Sequence, residues 1–495
     1  MTETDNEGIQ FRQLDGKRSS QMVGKTVYAD AARQADPALA SRIENQKEWR
    51  KTYLGPVREL VEAGVRSGNH AVSIATAGLA SAHHSMMYRR EGTEVPIADA
   101  FATPPRDLYE TATIKGRGER ERTLTVPLGD QKLAGDALLR QLDRWVDRGV
   151  IEPSCREAVS AVVANPDWLD LGGTRFALMG AGSEMGPLES LTRWGAEVIA
   201  VDLPRADLWS RILAVAEAGS GTVHVPTRSS YDGSLDSLAR AAGADLLTET
   251  PEIRSWVSSF GGPMVVGNYV YADGSTFLRL ATALDALTTS LQEDVSEVSI
   301  AYLATPTDVF AVPEEVVGGA RARRRNPVAA IPRALTGHRL YSPNYASVVR
   351  SESGTAWGIS DCLVPQQGPN YSLAKMMQRW RAIEAKRQGV VISANVAPAT
   401  QTRSVVKNKI LAAAFRGASA FGVAVFAPET SRALMSALLV HDLRNPTAPS
   451  QPGIELDHPF ELFTQGAAHG GLWRVAYEPR TVLPLAVGIG MFRKR

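Results

Sequence analysis

The chain has 495 residues, of which 44% are hydrophobic and 22% are charged, and its formal net charge is +1. This length predicts two or more domains, and this charge balance gives no support to a general affinity for nucleic acid or for a membrane surface. The two cysteines, Cys155 and Cys362, exclude a disulfide framework and a cysteine-rich zinc site.

Residues 1–170 are predicted to form a mostly helical region. About the first 20 residues are polar, are expected to be flexible, and lack the apolar core of a secretory signal. Apolar residues three and four apart predict helices from about 28 to 82 and again beyond 134, with irregular structure and a short strand, RTLTVPL, between them. No apolar run reaches the roughly 18–20 residues that span a bilayer, so we expect a cytoplasmic protein without a membrane span.

Residues 171–495 show a different pattern, in which short apolar runs alternate with helical segments. The runs are RFALMG, EVIAVD, GTVHVP, PMVVGN, SIAYLAT and GVVISANVAP. Such alternation predicts an α/β fold with a doubly wound parallel sheet and crossover helices. The proline-rich and glycine-rich stretch 312–369 interrupts this rhythm and is predicted to be an insertion.

The stretch FALMGAGSEMGPLESLTRWGAEVIAVD has the pattern of a nucleotide site. Gly180, Gly182 and Gly186 follow a predicted strand and open a helix, where backbone amides can approach a pyrophosphate. Asp202 ends the next strand and is placed to accept hydrogen bonds from an adenosine ribose. The alternative is that the glycines only permit a tight turn and that Asp202 caps a loop. Glu184 lies inside the turn, where a carboxylate is unfavourable near phosphates.

A second pattern, YSLAKMMQRWRAIEAKRQG, places Tyr371 and Lys375 four residues apart and therefore on one face of a helix. A lysine ammonium beside a phenol lowers the pKa of the tyrosine, as acid/base catalysis near neutral pH requires. The alternative is an ordinary tyrosine at a helix start and a lysine on a solvated face.

In this order the motifs resemble the short-chain dehydrogenase/reductase family over about residues 174–480. MGAGSEMG resembles the family's glycine turn, VGNYVYADG its asparagine segment, YSLAK its tyrosine–lysine pair and APATQT the segment that holds the nicotinamide. The resemblance implies a Rossmann-type dinucleotide-binding domain over 171–495 and a homo-oligomer, either a dimer or a tetramer. It also implies that PETSRALMSALLVHDLRNP is a late helix and that AAHGGLWRVAYEP is a final strand.

The resemblance further implies an oxidoreductase that moves a hydride between NAD(P) and a carbonyl, an alcohol or a carbon–carbon double bond of a small molecule. Tyr371 would be the acid/base, Lys375 its electrostatic partner, and Thr305, Thr307 or Ser360 would polarise the carbonyl. Asp202 favours NAD, although NADP is also possible. Residues implied to contact the cofactor are Gly180, Gly182, Ser183, Met185, Gly186, Asp202, Asp245, Leu246, Asn268, Tyr371, Lys375, Pro398 and Thr402.

Two other functions are compatible with the pattern. A non-catalytic nucleotide-binding or scaffold protein would keep the sheet and lose the polarising serine. An S-adenosylmethionine-dependent methyltransferase would explain the glycine turn equally well but would leave Tyr371 and Lys375 unexplained. A basic cluster in the insertion (Arg321, Arg323, Arg324 and Arg325) could hold phosphates of a carrier or be a solvated loop.

Overall fold

The computed structural model describes residues 7–14, 16–323, 340–407 and 409–492, and shows a mixed α/β fold. Its strands are β1 Gly8–Phe11, β2 Met86–Arg90, β3 Thr93–Pro96, β4 Glu110–Lys115, β5 Val126–Leu128, β6 Gln131–Leu133, β7 Arg175–Met179, β8 Glu197–Val201, β9 Thr222–Thr227, β10 Met264–Asn268, β11 Val298–Ala304, β12 Val309–Pro313, β13 Val349–Arg350, β14 Ala356–Asp361 and β15 Ile392–Val396. Its first helices are α1 Ser20–Ala32, α2 Pro37–Glu44, α3 Trp49–Thr52, α4 Leu54–Val65, α5 Gly68–His84, α6 Gly135–Asp147 and α7 Pro153–Ala164. The later ones are α8 Leu188–Arg193, α9 Ala206–Ala218, α10 Leu235–Ala241, α11 Thr250–Ser258, α12 Gly274–Asp294, α13 Glu314–Arg323, α14 Gly368–Arg387, α15 Arg403–Lys407, α16 Lys409–Ala418, α17 Pro428–Arg444, α18 Glu461–Thr464 and α19 Pro479–Phe492.

The central sheet has seven strands in the order β15-β11-β10-β7-β8-β9-β4. All six apolar runs predicted to be strands form β7, β8, β9, β10, β11 and β15, and neighbours among them pair in parallel. The seventh strand, β4, comes from the N-terminal region and pairs antiparallel with β9. Strands β8 and β9 follow β7 on one side of it, and strands β10, β11 and β15 lie on the other side. The strand order therefore reverses between β7 and β10.

Both faces of this sheet are buried, which explains why its strands are continuous apolar runs. On β7, Ala177 and Met179 belong to one hydrophobic core, and Phe176 and Leu178 belong to the core on the opposite face. The alternation follows from the two-residue period of a strand.

The N-terminal region packs directly on the sheet's helices and shares the larger core with them. Tyr28 on α1 bonds Ser372 on α14 at 2.9 Å, and the Trp380 ring lies where a side chain on Gly78 of α5 would have to go. The sequence predicted a flexible segment here, but strand β1 is buried. Ile9 and Phe11 are 0% exposed, and the Ile9 amide donates to the Leu247 carbonyl at 2.8 Å.

A buried ion cluster also ties the N-terminal helices to the sheet. Asp285 on α12 accepts two hydrogen bonds from Arg381 on α14, at 2.7 and 2.8 Å. His83 on α5 lies 2.7 Å from the same carboxylate. Burial raises the pKa of Asp285, but Arg381 and then His83 lower it by more. The pKa of Asp285 is therefore well below its usual value.

We expect Asp285→Asn to lower the free energy of unfolding by about 3–5 kcal/mol, because it leaves Arg381 buried without its counter-charge. The folded-state pKa of Asp285 is depressed, so this contribution is present above the unfolded pKa of about 4 and is lost as the pH falls below it. Urea unfolding at neutral and acidic pH measures both effects. Asp207→Asn, at an exposed carboxylate, is the control; equal losses in both variants would contradict the assignment.

The C-terminal segment departs from the predicted final strand. AAHGGLWRVAYEP is irregular, with a 3-10 turn at Leu472–Arg474, and β15 is therefore an edge strand. The physical reason is the glycine pair, because Gly470 and Gly471 have φ of +67° and +92°, which a strand cannot accommodate. The predicted late helix is confirmed as α17. The insertion contains α13 and an antiparallel sheet of β12, β14 and β13.

None of the helices in the described part of the chain is both long and apolar enough to cross a membrane.

Candidate functional site

The glycine turn joins β7 to α8 at the carboxyl edge of the sheet. Most of its amides bond within the protein, since Gly182 donates to Asp202 Oδ2 at 2.8 Å, Ser183 to the Gly180 carbonyl and Gly186 to the Ser183 carbonyl. Helix α8 begins only at Leu188 and has six residues. The turn therefore leads into a helix, as the sequence pattern predicted, but that helix is short.

The glycines in this turn are required by packing inside the protein. A Cβ on Gly182 would lie 2.5 Å from Leu208 Cδ1, and one on Gly180 would lie 3.0 Å from the Val270 amide nitrogen. Gly180 also has φ of +80°, which favours glycine. Tight-turn geometry alone thus accounts for these two residues.

Asp202 lies beneath the turn and fixes its shape. Its Oδ2 accepts the Gly182 amide and its Oδ1 accepts the Leu203 amide, both at 2.8 Å. Burial raises the pKa of Asp202, and the two amides oppose that shift. The Ala244 amide donates to the Asp202 carbonyl at 2.8 Å, which brings the next predicted residue, Asp245, to the same edge.

Asp245 and Leu246 have local roles at this edge. Asp245 Oδ1 accepts the Leu247 amide at 2.9 Å in the turn before α11. Leu246 is 5% exposed and belongs to the larger core. Met185, half-buried, packs against the opposite core.

Glu184 connects the turn to the segment that follows β15. Its Oε2 accepts the Arg403 amide at 2.9 Å, and the Arg403 guanidinium lies 3.9 Å from the other oxygen. Arg432 on α17 donates to the Glu184 carbonyl at 3.1 Å. The predicted cofactor contacts Pro398 and Thr402 lie in the segment that Glu184 bridges. A carboxylate thus occupies the gap between the glycine turn and the residues expected to hold the cofactor.

Asn268 ends β10 between the glycine turn and β11. It is 4% exposed, donates to Thr288 Oγ1 at 3.4 Å, and lies beside the Tyr302 hydroxyl. The structure therefore fixes its side chain at the carboxyl edge through α12 and β11.

A hydroxyl cluster forms where β11 ends and α14 begins. The Tyr371 hydroxyl lies beside Thr305, whose Oγ1 is 2.9 Å from Thr307 Oγ1. Gln367 donates to Thr307 Oγ1 at 3.0 Å and also lies within reach of Tyr371. Burial raises the pKa of Tyr371 to about 12 against the lowering effect of Thr305. The phenol is therefore neutral at pH 7.

Lys375 lies one helical turn after Tyr371 on α14 and contacts the strand end. Its Nζ donates to the Leu303 carbonyl at 3.2 Å and to Gln378 Oε1 at 3.0 Å, and it sits 5.7 Å from the Phe277 ring centre. Burial lowers the pKa of Lys375 to about 8, and the Asp308 carboxylate opposes that shift. The pKa of Tyr371 is raised, whereas the spacing of the pair predicted that Lys375 would lower it.

Ser360, the other candidate for polarising a carbonyl, is held elsewhere. It lies on β14 with 0% exposure, 3.5 Å from Cys362 Sγ and beside the Tyr345 hydroxyl. The structure therefore brings Thr305 and Thr307 to Tyr371 and encloses Ser360 within the insertion.

Sequence reasoning missed Gln367 and Asp308. Gln367 precedes Tyr371 by four residues, one helical turn, and this spacing could have identified it. Asp308 is buried and pairs with Arg379 at 3.0 Å, which no local pattern indicates. Of the basic cluster, Arg321 donates to the Tyr345 carbonyl and Arg323 to the Arg148 and Arg474 carbonyls, while Arg324 and Arg325 lie outside the described residues.

A cavity of about 500 Å³ lies away from all these residues, between α7, α17 and β15. Its polar walls largely satisfy one another, since Asp442 accepts hydrogen bonds from Ser393 and Asn395, both at 2.6 Å. Its size alone does not identify a functional site, whereas polar side chains converge at Tyr371.

Comparison with models of known protein families gives no match to this chain, and a search of curated proteins gives none either. The family resemblance consequently rests on the order and placement of the residues described above.

Proposed function

We propose that this protein is an NAD(P)(H)-dependent oxidoreductase of the short-chain dehydrogenase/reductase type, acting on a carbonyl, alcohol or enoyl group of a small molecule. The observation that carries the proposal is the position of the Tyr371 phenol beside Thr305 at the end of a parallel strand, with Lys375 bonded to the Leu303 carbonyl of the same strand. A phenol, a hydroxyl and an ammonium near the end of one strand form a set that can transfer a proton and polarise an oxygen.

The strand order supports a Rossmann-type, doubly wound sheet. In open parallel sheets, ligands bind outside the carboxyl ends of the strands where the strand order reverses. That reversal lies between β7 and β10, which end next to Gly180 and at Asn268. The candidate nucleotide residues and the candidate catalytic residues thus lie along one edge.

The residues present fit a dinucleotide at its ribose end. Each Asp202 oxygen accepts one amide and keeps a lone pair for a ribose hydroxyl. Asp202 also disfavours the extra phosphate of NADP, which supports NAD. At the phosphates the fit requires Glu184 to withdraw from Arg403, since two anions cannot share that gap.

When bound, the dinucleotide would supply or accept the hydride, held by the glycine turn, Asp202, Asn268 and the Pro398–Thr402 segment. Thr305 would donate a hydrogen bond to the substrate oxygen. Tyr371, neutral at pH 7, would give its proton to that oxygen during reduction. Thr307, itself bonded by Gln367, orients the Thr305 hydroxyl, and Lys375 places a positive charge near the strand end below pH about 8.

A non-catalytic nucleotide-binding or scaffold role is the second candidate. The observations that favour it are the internal bonding of the turn amides and the carboxylate of Glu184 in the gap. A methyltransferase has less support, because it leaves the Tyr371 cluster unexplained.

Thermal unfolding in the presence of NADH, NADPH and S-adenosylmethionine tests these proposals. A ligand at 100 times its Kd stabilises the native state by about 2.7 kcal/mol, which raises the Tm of a chain of this size by about 2–3 °C. We expect NADH to give the largest shift. A shift with S-adenosylmethionine alone would support the methyltransferase, and no shift with either dinucleotide would contradict the oxidoreductase.

A further inference from the structure

Helix α19 carries apolar side chains on all its faces, and its buried residues form a single stripe. From Val482 to Phe492 it contains no charged or hydrogen-bonding side chain. Its buried residues are Val482, Ala486 and Gly490, which are four apart and therefore lie on one face. Met491 is 64% exposed and Phe492 is 91% exposed. A helix that is apolar all round is expected to be buried in protein or in lipid.

The buried stripe packs closely on α16. A side chain on Gly417 would overlap the Ala486 carbonyl, and one on Gly490 would overlap the Ala413 carbonyl. Arg416 adds a hydrogen bond to the Gly490 carbonyl at 3.0 Å. The two helices are therefore held together, and the faces of α19 turned away from α16 are not needed for this contact.

The charge of these helices differs sharply from that of the whole chain. Segments 403–418 and 479–492 contain no aspartate or glutamate, and their basic residues are Arg403, Lys407, Lys409, Arg416 and Arg480. The next three residues in the sequence, Arg493, Lys494 and Arg495, are also basic but lie outside the described residues. Acidic partners from elsewhere pair with Arg403 and Arg480. Lys407 and Lys409 are exposed, and so is the apolar Val406, which directly precedes Lys407.

We propose that α15, α16 and α19 form a surface that docks peripherally on a bilayer containing anionic phospholipids. Exposed apolar side chains with a surplus of basic residues are the features that hold a helix in the plane of a membrane interface. Each basic residue near an anionic surface adds attraction, and the apolar side chains enter the boundary between headgroups and acyl chains. A nucleic acid would use the charges but not Met491 and Phe492, and a second copy of the chain would bring the same positive charge. The proposal does not depend on the proposed enzymatic function.

Flotation of the full-length protein with vesicles tests the proposal. We expect the protein to float with vesicles of phosphatidylcholine and phosphatidylglycerol and to remain in solution with vesicles of phosphatidylcholine alone. Phe492→Glu and the double variant Lys407→Glu/Lys409→Glu are each expected to weaken binding at least about tenfold, through the apolar and the charged contribution respectively.

Matched controls separate docking from general effects. Tyr231→Glu changes an aromatic residue that is 41% exposed, and Lys132→Glu/Arg140→Glu changes the net charge equally at exposed positions. Both controls are expected to float like the wild type. Absence of flotation, or equal losses in the controls, would overturn the proposal. Undiminished flotation of Phe492→Glu would overturn it in favour of a general polyanion site, and monomerisation of a wild-type dimer by Phe492→Glu without vesicle binding would assign the surface to a second copy.

Discussion

Replacing Tyr371 with phenylalanine is expected to lower the rate of NADH-dependent reduction by about 10²–10⁴-fold, the range that general acid catalysis contributes. The expected loss follows from the hydroxyl's position beside Thr305 at the end of β11. The Kd for NADH is expected to stay within about twofold, since the ring and its packing on Phe277 remain. Initial rates of NADH oxidation with a panel of carbonyl and enoyl compounds measure the effect.

Tyr271→Phe is the matched control, because its ring centre is 6.3 Å from that of Tyr371 but its hydroxyl bonds Asp273. It should retain wild-type turnover. Thr305→Val, which keeps the shape and removes the hydroxyl, should lose turnover as Tyr371→Phe does. If Tyr371→Phe retained full turnover of a substrate that the wild type reduces, the acid/base assignment would be wrong.

Replacing Glu184 with glutamine is expected to tighten NADH binding by about tenfold or more. Two charges about 4 Å apart repel by about 1–4 kcal/mol at effective dielectric constants of 80 to 20, and the substitution removes this repulsion from the phosphates. The glutamine side-chain oxygen can still accept the Arg403 amide, so the turn keeps its bridge. Glu184→Gly, which also vacates the gap, should tighten binding further. Fluorescence titration of bound NADH measures each Kd.

Glu217→Gln serves as the control for this substitution, because Glu217 pairs with Arg117 on another surface and its removal changes the net charge equally. It should leave the Kd unchanged. Weaker NADH binding in Glu184→Gln than in the wild type would show that the carboxylate supports the ligand instead of opposing it.

Much of the central sheet could be predicted from the sequence, for a clear physical reason. A strand buried on both faces must be apolar throughout, and six such runs, among them the one that contains Phe176, form the six parallel strands. The N-terminal strand β1 could not be predicted in this way. Its burial depends on Leu247, more than 200 residues away, and on pairing with β2.

The candidate site could be predicted only in part. The spacing of Tyr371 and Lys375 correctly placed both on α14, but the direction of the tyrosine pKa depends on burial, which spacing does not report. The choice between Thr305 and Ser360 required the path of the insertion. The sequence showed that Glu184 lies inside the glycine turn. Its bond to Arg403, however, depends on a segment more than 200 residues later.

Charge was the least predictable property. The net charge of +1 gave no support to a membrane affinity. Helices α16 and α19, however, contain basic residues and no acidic ones, and they pack on each other. Only the packing of α16 on α19 brings these segments together.

The most direct test of the dinucleotide site is the fluorescence titration of NADH into the wild-type protein and into Glu184→Gly. We predict saturable binding of one NADH per chain in both proteins, tighter in Glu184→Gly, and weakened when Asp202 is replaced by alanine. Absence of saturable binding in both the wild type and Glu184→Gly would contradict the proposal that this edge of the sheet holds a dinucleotide.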